Sequence, residues 1–267
     1  MPLFPATDAF ATHMLPVGQG HTLYIEQSGN PSGIPVIVLH GGPGSGFSPT
    51  TSRRFNPAVY HIVCFDQRGA GKSTPSGSFD ANITPYLVQD IAAVLTHLGI
   101  AQAVLYGTSW GSTLALAFAQ ANPEKVLGMV LGGIFLGTQE ELEWVNLPTG
   151  MARLRWPQYQ QLLSVFPGGK IPENGLENGL LDIIQGGDDA TAKQAARAYA
   201  TYECSGFFPE PDMEAIRTFV DADEHIVAHI SIELYYFANR CFLQYNQLLK
   251  GCAAIAHIPA IIVQGGL

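Results

Sequence analysis

The stretch Ala103-Val104-Leu105-Tyr106-Gly107-Thr108-Ser109-Trp110-Gly111-Ser112-Thr113-Leu114-Ala115 decides the reading of the fold. Its first four residues form a short apolar run of strand type, and Gly111 to Ala121 is an Ala/Leu-rich helical segment. Between strand and helix lies G-x-S-x-G, at Gly107 to Gly111. A serine in that context sits on a sharp turn that lifts its hydroxyl above a sheet. The flanking glycines let strand and helix approach without Cβ contacts. The pattern makes Ser109 a nucleophile. The backbone N–H of Trp110, at the helix N-terminus, is then placed to donate to a developing oxyanion.

Working outward, the same alternation recurs on both sides. Thr22 to Glu26 alternates with period two and ends in the turn cluster Ser28 to Gly33. Pro35 to Leu39 is continuously apolar, as a strand covered on both faces requires. Tyr60 to Phe65 and Val126 to Leu131 read as further strands. Pro85 to Leu98 reads as a helix, with Leu87, Ile91, Val94, Leu95 and Leu98 on one face and Gly99 as its stop. Strand, turn and helix in repetition predict a doubly wound, mostly parallel α/β sheet. From Gly137 the texture changes to helical spacings broken by Pro148, Pro157, Pro167 and Pro172, until an apolar run returns at Pro259 to Val263. The expected layout is a core over 1–136, a helical cap over 137–257, and the core resuming over 258–267. The last strand predicts neighbours on both faces, so a further strand and helix are expected after it.

A second glycine-rich loop, His40-Gly41-Gly42-Pro43-Gly44-Ser45-Gly46, follows an earlier strand. Such a loop brings backbone close to a reacting carbonyl, and Gly42 is the expected second oxyanion donor. His40 is expected to pin the loop rather than to act as a base. Gly69-Ala70-Gly71-Lys72-Ser73 has a phosphate-loop flavour, but that motif needs glycine where Asp66 stands. Asp66, Gln67 and Arg68 are instead expected to form a structural turn with an internal ion pair.

Composition narrows the function classes. Thirteen Lys and Arg against 22 Asp and Glu give a net charge of −9, which disfavours a phosphate-tracking nucleic-acid binder and an anionic membrane surface. Hydrophobic residues make up 47% and charged residues 13%, ample for a large core. No apolar run approaches the length of a spanning helix, and the N-terminus has neither a cationic start nor an apolar block. Cys64, Cys204, Cys241 and Cys252 are irregularly spaced, and buried thiols are expected rather than disulfides or a zinc site. The expectation is a soluble, cytoplasmic protein without metal or organic cofactor.

HGGPG at 40–44, DQRGAGKS at 66–73, GTSWGSTLALAFAQ at 107–120 and KVLGMVLGGIF at 125–135 resemble the proline iminopeptidases, α/β hydrolases that release an N-terminal proline. Tyr202-Glu203 resembles that family's W-x-x-Y-E motif, with Tyr199 where tryptophan is usual, and Ile232 to Phe237 resembles I-E-x-x-Y-F. The resemblance implies peptides with a free N-terminal proline as substrates, an acyl-enzyme on Ser109, and Glu203 and Glu233 as ligands of the substrate's α-amino group. A buried ammonium does need carboxylate partners. The family's triad runs Ser, Asp, His, and both the Asp and the His are expected beyond residue 267. None of His13, His21, His40, His61, His97, His225, His229 and His257 is placed as the base; His225 and His229 are expected to be structural. Two other readings stay open, an esterase or amidase of another substrate and an inactive, binding-only product. The oligomeric state is not legible in the sequence.

Overall fold

A computed structural model describes residues 3–265. Seven strands form one sheet: β1 (Ala11–Gly18), β2 (His21–Gly29), β3 (Ile34–Leu39), β4 (Tyr60–Phe65), β5 (Ala103–Ser109), β6 (Val126–Ile134) and β7 (Ala260–Val263). Their spatial order is β1-β2-β4-β3-β5-β6-β7. The β1–β2 and β2–β4 pairings are antiparallel, and every later pairing is parallel. β1 is absent from the sequence reading because its burial alternates only between intermediate and exposed, so its pattern carries few large apolar residues.

The alternation of side chains along β3 and β4 explains the two faces. Ile37, Leu39, Val63 and Phe65 point into one cluster with Leu105 and the helices α1 (Thr84–His97) and α2 (Trp110–Ala121). Val36, Val38, Ile62 and Cys64 point to the other face, against Phe47, Phe55 and Tyr106. α1 follows the predicted stripe, burying Leu87, Ile91, Val94 and Leu95. Each such fully buried side chain contributes about 1.5–3 kcal/mol relative to exposure. α1 also buries Asp90, a charge on a core-facing position.

The segment after β6 is helical among the described residues. It comprises α3 (Gln139–Asn146), α4 (Trp156–Leu163), α5 (Leu176–Gly186), α6 (Asp189–Ser205), α7 (Met213–Asp221), α8 (Ile226–Ala238) and α9 (Gln247–Gly251). Local chemistry starts these helices. Thr138 and Glu141 form a reciprocal capping box on α3, while Asp188 and Asp212 accept backbone N–H groups at the starts of α6 and α7. α3 to α8 share a second hydrophobic cluster built on Tyr159, Leu180, Tyr199, Tyr202 and Ile230. α8 belongs to both clusters, since its Ile232, Tyr236 and Phe237 pack into the core beneath the sheet's helices. With α3, whose Leu142 lies in the same core while Val145 packs in the helical layer, it fastens that layer to the sheet.

Two expectations need correction. All four cysteines are free, but Cys252, just past α9, is exposed and Cys204, in the last turn of α6, is half-buried. Asp66 and Arg68 do not pair with each other. Arg68 turns inward to Asp90, with Nε–Oδ2 at 2.7 Å and Nη2–Oδ1 at 2.8 Å, while Asp66 accepts the backbone N–H groups of Phe47 and Lys72. None of the described helices is long and apolar enough to cross a membrane.

Candidate active site

Ser109 closes β5 and stands immediately before α2 at φ +56°, ψ −127°. A non-glycine residue at positive φ is strained, and that strain is what aims the hydroxyl off the strand. The two flanking glycines are required sterically. A Cβ on Gly107 would sit 2.1 Å from the Gly111 carbonyl oxygen, and one on Gly111 would sit 2.1 Å from that of Leu39. Trp110 is the first helical residue of α2, so its N–H lacks an intrahelical acceptor.

The loop after β3 lies beside this turn. A Cβ on Gly41 would be 3.7 Å from Ser109 Cβ, and Gly42 adopts φ +98°. His40 fixes the loop from below. Its Nε2 accepts the Gln67 N–H at 2.9 Å, so its proton is on Nδ1, which donates to the Gly41 carbonyl at 2.9 Å. Burial lowers its pKa from 6.5 to about 4, with a smaller push from nearby His229 and the Gly41 bond opposing. His40 is therefore a neutral strut. Gln67 completes the support, its Nε2 donating to the His40 carbonyl at 3.0 Å and its Oε1 accepting the Trp110 indole N–H at 2.9 Å.

α8 packs directly over that loop. A Cβ on Gly44 would meet the His229 carbonyl at 2.9 Å and Ile232 Cβ at 3.0 Å, and one on Gly42 would lie 3.4 Å from His229 Nε2. One turn further on, Glu233 is fully buried, and neither of its carboxylate oxygens has a described hydrogen-bond donor. Glu203, on the last turn of α6, is half-buried and brings its carboxyl within hydrogen-bonding reach of Glu233. Burial raises both carboxyls, that of Glu233 well above the ordinary range, where Glu203 adds to the effect; His229 draws Glu203 back down. Two abutting carboxyl groups without a donor form a site in want of a cation.

The structure thus gathers Ser109, Trp110 and Gly42 on one turn-and-loop unit and Glu203 with Glu233 on the helices above it. His225 caps α8 and is exposed, and His257 precedes β7 at the end of the sheet opposite Ser109. Among the described residues no histidine hydrogen-bonds to Ser109 Oγ. The roles of four residues escape the sequence reading. Gln67 lies inside a turn motif whose ends attract the attention. Asp90 is signalled by a carboxylate on the apolar stripe of α1. Asp223 and His229, joined Oδ2 to Nδ1 at 2.9 Å, are six residues apart across a helix start.

Residues 34–175 match the family model described as alpha/beta hydrolase fold. The chain is 40% identical to the proline iminopeptidase of Arabidopsis thaliana over 98% of its own length and 69% of that protein. It is 40% identical to the proline iminopeptidase of Neisseria meningitidis serogroup B over 98% of its length and 83% of that protein. The chain belongs to the proline iminopeptidase family of α/β hydrolases. Within the fold at large, a haloalkane dehalogenase loop variant from Bradyrhizobium elkanii superposes with a TM-score of 0.61 over 96% of this chain and 80% of that one, at 17% identity, a likeness of fold alone.

Proposed function

We propose that the protein is a serine aminopeptidase that releases proline from the free N-terminus of peptides. The observation that carries this reading is the carboxyl pair Glu203–Glu233, whose fully buried Glu233 lacks a hydrogen-bond donor and lies on α8, the helix packed over the loop next to Ser109. In the proposed sequence the N-terminal ammonium settles between the two carboxylates, which places the first peptide carbonyl at Ser109. Ser109 Oγ attacks that carbonyl, and the N–H groups of Trp110 and Gly42 take the oxyanion. The C–N bond breaks as the leaving amine is protonated, and water then hydrolyses the prolyl ester. Activation of Ser109 calls for a histidine and a carboxylate in the roles of base and orienter. The helical layer 137–257 acts as the cap that bounds the substrate at its N-terminus. Four free cysteines fit a reducing compartment such as the cytoplasm.

The competing reading is an esterase or amidase with the same nucleophile. Turnover of a prolyl arylamide, its loss in Ser109→Ala, and a serine-directed phosphonate adduct on Ser109 support the peptidase. Short acyl esters turning over far faster than prolyl amides would replace it with the esterase.

A further inference from the structure

Recognition of an ammonium by Glu203 and Glu233 raises a problem of charge. Two abutting carboxyl groups, one fully buried and the other half-buried, do not both ionise readily; one keeps a proton, as in any close carboxyl dyad. A protonated pair offers the ammonium one negative charge where the geometry provides for two. Something beside the pair must hold that proton.

His229 is built for it. The ring stands one helical turn before Glu233, with Nε2 3.6 Å from Glu233 Oε2. Its other nitrogen donates to Asp223 Oδ2 at 2.9 Å, and Asp223 is itself tied to the chain by the backbone N–H of His225. That bond fixes the tautomer, so Nε2 carries a lone pair toward the carboxyl pair whenever the ring is neutral. Burial pushes the Asp223 carboxyl up, but His229 and the N–H of His225 outweigh it, and the net direction is down. Other groups around His229 do not compete for this role. From the core, His40 is held neutral by burial, with its Nε2 lone pair taken by the Gln67 N–H. From α6, Glu203 is a member of the pair. From α5, Glu177 accepts from Asn146 and Asp182 from Asn174. His225, at the helix start, is exposed.

We propose that the Asp223–His229 dyad is a positioning device for the N-terminal amine: His229 Nε2 takes the proton that Glu203 and Glu233 would otherwise share, so that both carboxylates meet the substrate ammonium ionised. The proton passes from carboxyl oxygen to Nε2, the Nδ1–H remains on Asp223, and no proton need leave the site. The dyad touches no reacting atom. This inference rests on the reading of Glu203 and Glu233 as the amine site.

The test is binding of prolinamide and of N-acetylprolinamide, followed calorimetrically from about pH 5 to about pH 9, the span over which carboxyls and imidazoles titrate. Wild type is expected to bind prolinamide with an acid limb and to exchange little net proton with buffer near neutrality. In His229→Gln the limb moves to higher pH, by about one unit or more, which is about tenfold weaker binding below the limb and recovery at alkaline pH. Asp223→Asn shifts the limb in the same direction and releases close to one proton on binding. A purely structural role would lower affinity by the same factor at every pH, and an unmoved limb in both variants would overturn the dyad. If His229→Gln does not fold, proton release by wild type decides: release of a full proton near neutrality overturns the proposal. Equal binding of the acetylated amide by wild type would overturn the amine site itself, and the dyad with it. Discrimination by wild type with an unmoved limb removes the dyad alone.

Discussion

Gln67 and Trp110 are joined by a buried hydrogen bond of 2.9 Å, and through the other end of the same amide Gln67 holds the His40 carbonyl at 3.0 Å. One side chain therefore ties together the two segments that carry the proposed oxyanion donors. Gln67→Leu leaves an indole N–H and a carbonyl buried without partners, at about 1–3 kcal/mol each. The variant is expected to unfold at lower denaturant and to lose roughly 10–100-fold in kcat with KM little changed, since the donors drift from where charge develops. Denaturant titration and steady-state kinetics on the same preparation check both parts.

Arg68 and Asp90 form a two-bond ion pair with both side chains almost completely buried. Removing one partner strands the other charge, at about 3–5 kcal/mol. Asp90→Ala is accordingly expected to be far less stable in urea than any surface Asp→Ala, while the fraction that remains folded keeps its turnover. Equal stability of Asp90→Ala and wild type would show that the pair holds nothing.

His40 makes stability depend on pH. Its folded value is about 4 against an ordinary 6.5, so between these values the unfolded chain binds the proton first. The stabilisation is complete above pH 6.5 and is lost as pH falls toward 4, by about 3 kcal/mol in all. His61 is also lowered by burial and Asp223 is lowered too, so wild type carries several acid-side contributions. His40→Gln is expected to be less stable at neutral pH but to show a flatter decline across that window. Urea midpoints measured at several pH values give the two slopes directly.

Glu233 sets function against stability. Its carboxyl has no described donor and abuts Glu203. Glu233→Gln is expected to raise Tm or leave it unchanged, because a repelling buried acid is removed. The same change is expected to lower kcat/KM for prolyl substrates by roughly 10–150-fold, the worth of a charge-assisted bond of about 1.5–3 kcal/mol. Thermal melts and kinetics of the one variant read both directions.

The sheet was legible in the sequence wherever burial is two-sided. β3 is apolar throughout, β4 is apolar but for His61, and α1 shows its stripe, because close packing on both flanks favours apolar residues there. β1 was not legible, since an edge strand with no fully buried position has no such pattern to impose. The Ser109 turn is legible because G-x-S-x-G is a local pattern, with Gly107 answering to the backbone of Gly111 four residues on. What stayed hidden depends on distant pairing. Arg68 has an acidic neighbour in Asp66, yet the bond goes to Asp90, a partner 22 residues along the chain that only the tertiary fold brings near. His229 was read as structural because nothing in a helix sequence tells that its far nitrogen faces a buried carboxyl pair.

The central claim is that a carboxyl pair selects the free amino terminus for Ser109. Its most direct test is the ratio of kcat/KM for an L-prolyl arylamide to that for the N-acetyl-L-prolyl arylamide, measured with the wild-type protein and with its Glu203→Gln variant. A ratio of at least about a hundredfold is expected, the worth of one or two charge-assisted bonds, collapsing in the variant through loss of the free-amine substrate alone. Equal turnover of free and blocked substrates by the wild-type protein would contradict it.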